Sequence, residues 1–191
     1  FKGIPQAENA LGAPSAPVTM VEYVDLQCPY CAQFESTVMP RLVRQYVRSG
    51  QLRIEMRLLA FIGPDSERGR SAALGAGLQG KQFNFTELLY FNQGPENTGW
   101  LNDEFISSAY ASIPGLDAQA AEKARSSSLV SSQAQTYDDK ANTDQVSGTP
   151  SVFVGKRGGR FTFVGPGSPT VPVLEDAIKN AISRASKTIR E

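Results

Sequence analysis

Two hydrophobic periods alternate along the chain. Residues 17–27 (PVTMVEYVDLQ) are rich in β-branched and aromatic types, and their apolar side chains fall in both strand phases. That pattern predicts a central strand covered on two faces. The period then lengthens. Tyr30, Phe34, Val38, Leu42, Val43, Tyr46 and Val47 recur at helical spacing, while Glu35, Arg41, Arg44 and Arg48 fall elsewhere. The spacing predicts a helix over 34–47, kinked at Pro40 and stopped at Gly50. Residues 52–60 (LRIEMRLLA) read as a second strand. A β-α-β order implies a parallel pair with a right-handed crossover.

Gly63-Pro64-Asp65-Ser66 breaks the pattern, and the composition then shifts toward Ala, Ser, Gln, Glu and Lys. Helices are expected over 66–80, 83–92, 102–112 and 117–142, with interruptions at 93–99 and at Pro114-Gly115. Strand character returns in Ser151-Val152-Phe153-Val154 and in 160–164, joined by a glycine-rich basic turn that predicts an antiparallel hairpin. Thr170 to Ile189 reads as a closing amphipathic helix with Pro172 in its first turn. Residues 1–16 form an entry arm with a short strand around Ile4. The class is α/β: a β-α-β/β-β-α core from residues 1–65 and 146–191, interrupted by a helical insertion over 66–145.

Composition narrows the chemistry. Nineteen basic and nineteen acidic residues give a formal net charge of zero, so no global field steers nucleic acid or an anionic membrane to this chain. No nucleic-acid partner is expected. Histidine is absent, which removes Ser-His and Cys-His catalytic pairs and most zinc sites. Two thiols alone cannot close a four-ligand zinc site, so no metal and no cofactor beyond the cysteines is expected. No apolar run approaches the roughly 20 residues needed to span a bilayer. The chain begins with Phe1 and reads as a trimmed or mature form.

The two cysteines are the sharpest feature. Cys28-Pro29-Tyr30-Cys31 sits where the first strand gives way to the first helix. Unpaired N–H groups at a helix start favour negative charge, so a thiolate there is stabilised and reactive. The sulfur of Cys28 is therefore expected to be exposed and eased toward its anion, with Cys31 one turn on to close a disulfide. A purely structural disulfide, or two inert thiols, is the bland alternative; an i, i+3 bridge closes too small a loop to constrain the unfolded chain much.

The chain resembles the DsbA-like thiol:disulfide oxidoreductases of the thioredoxin superfamily. The resemblance is carried by the Cys-Pro-Tyr-Cys motif after an apolar strand, by Pro40, by the helical stretch near 66–145, and by Thr149-Pro150 before Ser151-Val152-Phe153-Val154. It implies a thioredoxin-like fold with an inserted helical domain. It implies a cis peptide before Pro150, facing the cysteines, with Cys28 as nucleophile and Cys31 as resolving thiol. Pro29, Tyr30, Thr149 and Pro150 are the implied substrate contacts. Glu22, six positions before Cys28, matches a buried acid of the family and shares strand phase with Met20, Val24 and Leu26; it is the candidate proton acceptor for Cys31. Asp25, in the opposite phase, is the lesser candidate.

The expected function is protein thiol–disulfide exchange with exported substrates, running as an oxidase. A reductase or isomerase, and a non-catalytic binding module on the same scaffold, are the rivals. Partners are unfolded or reduced proteins and a redox partner that resets the active site. Residues 1–16 leave no room for a dimerisation domain, so a monomer is expected. Cysteine confined to one reactive pair suggests an extracytoplasmic location, with anchoring through a removed N-terminal segment as an option. The dinucleotide-like Gly75-x-Gly77-x-x-Gly80 follows a helical run rather than a strand and reads as helix packing and a helix stop. Asn84-Phe85-Thr86 is a chance-level glycosylation triplet, and the basic turn at 156–160 a solvated hairpin tip. Phe83, Phe85, Tyr90, Phe91 and Trp100 are expected to build the core of the helical block.

Overall fold

The computed structural model describes residues 1–165 and 167–188. Its centre is β3 (Val18–Asp25), buried along its whole length. β3 pairs parallel with β4 (Leu52–Leu59), from Val18 opposite Leu52 to Asp25 opposite Leu59. On its other side it pairs antiparallel with β5 (Ser151–Lys156), from Val18 opposite Lys156 to Tyr23 opposite Ser151. β6 (Phe161–Phe163) extends that side. A hairpin of β1 (Gln6–Ala7) and β2 (Ala10–Leu11) extends the other, β2 running antiparallel to β4. The six-stranded order is β1-β2-β4-β3-β5-β6. The entry-arm strand thus lies after Ile4, which is buried but extends no sheet.

The first helix is broken more finely than its spacing suggests. α1 (Pro29–Thr37) ends at Val38, and α2 (Met39–Leu42) begins there. Pro40 has no N–H to continue the ladder. The chain then loosens into a π-helical turn over Val43–Val47, closed by Arg48 N–H donating to the Val43 carbonyl at 3.0 Å. Leu42, Val43, Tyr46 and Val47 still reach the core, whereas Tyr30 is 64% exposed and leaves the apolar stripe.

Five helices lie between β4 and β5: α3 (Pro64–Gly77), α4 (Gln82–Phe91), α5 (Asp103–Ser112), α6 (Ala118–Ala124) and α7 (Ser128–Thr143). The stretch expected as one helix over 117–142 is two, because the Ser127 hydroxyl caps a new start by accepting from Val130 N–H. Phe83, Phe85 and Tyr90 are buried here, but Phe91 is 88% exposed and contributes no core. Gly75 shows why small residues sit on α3: a Cβ there would lie 2.7 Å from the Ala121 carbonyl oxygen of α6. α8 (Val171–Thr188) closes the molecule through Leu174, Ile178 and Ala181, and Glu175 pairs with Arg41 of α2 at 2.8 Å. The expected end of this helix, Ile189, lies outside the described residues.

Candidate active site

The parallel pair β3–β4 and the start of α1 set the site. β3 ends at Asp25, and the chain turns through Leu26 and Gln27 to Cys28, the N-cap of α1, with Pro29 at the first helical position. The Cys28 carbonyl receives the N–H groups of Cys31 and Ala32, both at 3.1 Å, so the helix starts at this residue. Its side chain approaches the loop before β5, donating to the Thr149 carbonyl at 3.3 Å, and the Thr149–Pro150 peptide is cis. Cys28, Cys31, Thr149 and Pro150 therefore converge from two ends of the chain. Both cysteines are free thiols, so this is the dithiol form.

The two sulfurs are electrostatically unequal. A hydrogen bond from the Cys31 thiol is the largest influence on Cys28. Burial opposes it, and the Thr149 side chain with the N–H groups of Cys31 and Tyr30 reinforces it, so that Cys28 falls from an ordinary 9.0 to about 6. Cys31 moves the other way, raised by burial and by the neighbouring Cys28. One expectation needs correcting. Cys28 is only 5% exposed, so its sulfur is recessed rather than freely presented. The Thr149 loop covers it. Tyr30 and the loop of residues 144–151 instead line an open groove of about 560 Å³ whose far wall includes Phe153 and Phe163. A second cavity of about 570 Å³, between β5, β6 and α8, includes neither cysteine.

Glu22 is fully buried and its carboxyl is held well above the usual range, first by burial and then by the Glu35 carboxyl. Sequence reasoning put Glu35 on the polar side of its helix. Its carboxyl in fact turns inward, and burial together with Glu87 raises it too. Burial and the neighbouring carboxyl hold Glu22 toward its protonated form, and neither of its oxygens has a hydrogen-bond partner among the described residues. Glu22 is not among the main influences on Cys31. Tyr90, buried in α4, donates its hydroxyl to the Asp25 carbonyl at 3.2 Å, and burial first, then the charges of Cys31, Glu35 and Glu22, raise its pKa. Tyr90 was legible only as an aromatic core residue.

Asp25 is a structural hub. It is fully buried and accepts from the N–H groups of Gln27, Phe61 and Ile62 at 2.8, 2.7 and 3.1 Å and from the Ser66 hydroxyl at 2.6 Å. A second network anchors the loop that carries Thr149. The Tyr23 hydroxyl of β3 donates to Asp144 at 2.5 Å, and Arg57 of β4 reaches both. Among the described residues no cluster of His, Cys, Asp or Glu could hold a metal ion.

Residues 6–160 match the family model described as Thioredoxin. A probable disulfide bond formation protein D of Bacillus cereus is 30% identical over 150 residues, spanning 77% of this chain and 69% of that protein. Oxidised BdbD of Bacillus subtilis superposes with a TM-score of 0.80 at 18% identity, covering 94% of this chain and 97% of that one. α-DsbA1 of Wolbachia pipientis superposes with a TM-score of 0.78 at 18% identity, covering 99% and 96%.

Proposed function

The chain belongs to the thioredoxin family and is a DsbA-like thiol:disulfide oxidoreductase, and we propose that it oxidises exported protein substrates through Cys28 and Cys31. The carrying observation is the set of contacts on the Cys28 sulfur. Cys31, the Thr149 side chain and the helix-start N–H groups all favour its anion. A stabilised thiolate favours the reduced enzyme, which makes the Cys28–Cys31 disulfide a strong oxidant.

The exchange follows from that inequality. In the oxidised enzyme a substrate thiolate attacks the Cys28 sulfur. The Cys28–Cys31 bond breaks, and Cys31 departs with the electron pair and takes a proton, as its raised pKa demands. The substrate is now held on Cys28 as a mixed disulfide. Its second thiolate attacks its own bridged sulfur and displaces Cys28, whose low pKa makes it a good leaving group. Two substrate thiols become one disulfide, and the enzyme is left as the dithiol for a redox partner to reoxidise. Buried Glu22, its carboxyl held above the usual range, is the proton acceptor we assign to Cys31.

An extended substrate strand lies along Thr149 and Pro150, with Tyr30 and the groove beside that loop accepting its side chains. The recess of Cys28 favours flexible, unfolded chains over folded ones. Confinement of cysteine to one reactive pair supports an extracytoplasmic location. No helix of the described residues is long and apolar enough to cross a membrane. The test is reoxidation of reduced, unfolded ribonuclease: wild type should restore its activity while Cys28→Ser does not, and equal rates would end the proposal. Equilibrium with glutathione fixes the direction. A potential near −120 mV supports an oxidase, and one near −270 mV would assign a reductase instead.

A further inference from the structure

The turn that presents Cys28 is held by the helical block through neutral amide groups. Gln93, just after α4, donates through one side-chain nitrogen to the carbonyls of Leu26 at 2.8 Å and Cys28 at 3.2 Å. Asn97 forms a reciprocal pair with Gln27, the residue immediately before Cys28. The Asn97 N–H donates to Gln27 Oε1 at 2.6 Å, and Gln27 Nε2 donates back to Asn97 Oδ1 at 3.1 Å and to the Ser66 hydroxyl at 2.9 Å. The remaining Asn97 amide hydrogen-bonds the Ile62 carbonyl at 3.1 Å, across Gly63, where a Cβ would collide with it.

These contacts are unusual in two ways. They converge on Leu26 and Gln27, the two residues before the N-cap, and on the N-cap carbonyl of Cys28, where a small rotation redirects the N–H groups of Tyr30 and Cys31. They also come from one short segment that touches no reacting atom. Asn97 sits in left-handed backbone at φ +54°, a conformation asparagine tolerates better than most residues. Gln27 is 1% exposed, and its buried amide oxygen is satisfied by the Asn97 backbone N–H, while the Asn97 side chain accepts from its amide nitrogen.

We propose that Gln93 and Asn97 are positioning residues, a clasp through which the inserted helical block holds the Cys28 turn so that the N–H groups of the helix start stay aimed at its sulfur. The proposal rests on the reading of Cys28 as the reacting sulfur. Because the clasp carries no titratable group, it sets the Cys28 environment without a pH dependence of its own.

The experiment uses the full chain in its reduced form, with Gln93→Ala, Asn97→Gly, and Asn92→Ala as a control. Among the described residues, the Asn92 side chain bonds only the Leu88 carbonyl, at an exposed site. Thiolate ultraviolet absorbance against pH gives the Cys28 midpoint, glutathione equilibrium gives the potential, and thermal melting gives stability. Each clasp variant should raise the Cys28 midpoint by about half a unit or more, the effect of one weakened hydrogen-bond set. The potential should become less oxidising in step, while Asn92→Ala leaves both unchanged. Folded clasp variants with the wild-type midpoint and potential, and only a lower melting temperature, would overturn the proposal. Asn97→Gly removes the side-chain bonds to Gln27 and the Ile62 carbonyl but keeps the backbone N–H to Gln27, and it keeps the proposal decidable if Gln93→Ala fails to fold, since Asn97 is solvent-exposed and glycine accepts its backbone angle. A low wild-type midpoint without ribonuclease reoxidation would count against the functional reading and leave the clasp standing. An ordinary wild-type midpoint would sink both.

Discussion

The alkylation of reduced enzyme across pH isolates the central electrostatic claim. With Cys28 at about 6 against an ordinary 9.0, about nine-tenths of it is thiolate at pH 7, against about one-hundredth of an unperturbed thiol. That population advantage of about 90-fold is partly cancelled. Intrinsic nucleophilicity falls with pKa at a Brønsted slope of about 0.4–0.5, so three units cost roughly 15- to 30-fold in the reactivity of each thiolate. At pH 7 the net gain is therefore only about three- to six-fold, whereas at pH 5 it is roughly 30- to 60-fold. The informative variable is thus the shape of the profile rather than any single rate. Iodoacetamide should alkylate Cys28 with a half-maximum near pH 6 and a plateau above about pH 7. Cys31→Ala removes the leading stabiliser and should move the half-maximum upward; Cys31→Ser keeps a hydroxyl donor and should move it less. A wild-type rate still climbing through pH 9 would refute the reasoning. So would a profile that Cys31→Ala leaves in place.

Two stability predictions follow from buried contacts. Glu22 is raised by burial, so the native state holds its proton more tightly than the unfolded chain, and its contribution declines as pH rises above the unfolded value of 4.5. Glu22→Gln should accordingly melt about 2–4 °C or more above wild type at pH 8 if about 1 kcal/mol is recovered, with the difference gone by pH 4, as calorimetry would read. Gly75→Ala forces a methyl to 2.7 Å from the Ala121 carbonyl and should cost about 1–3 kcal/mol in urea unfolding, despite alanine's better helix propensity; a stabilised variant would contradict the packing of α3 on α6.

Much of this fold was legible because its signals are local. The two-phase apolar pattern of 18–25 announces a strand buried on both faces, and the cysteine motif falls at the strand-to-helix junction that gives it meaning. Pro40 announced a break, but the π-helical turn after it depends on how Val43, Tyr46 and Val47 settle against the core, which no spacing encodes. Ser127 was a readable cap hidden among three serines. The larger misses are tertiary. Glu35 occupies a polar phase of its helix, yet its carboxyl turns in toward Glu22, and the pair exists only once α1 packs on the sheet. Phe91 looked like core and is almost fully exposed, since composition does not say which side of α4 faces inward. The recess of Cys28 could not be read from its neighbours in sequence, because its cover is 121 positions away.

That separation governs the order in which the enzyme comes into being. A ribosome delivers the first cysteine early and residue 149 only after the helical block has been made. Until β5 docks beside β3, the nascent thiol lacks the cover that recesses it. The newborn chain thus carries its thiol uncovered, and the recess around that sulfur arrives only with the chain's own completion.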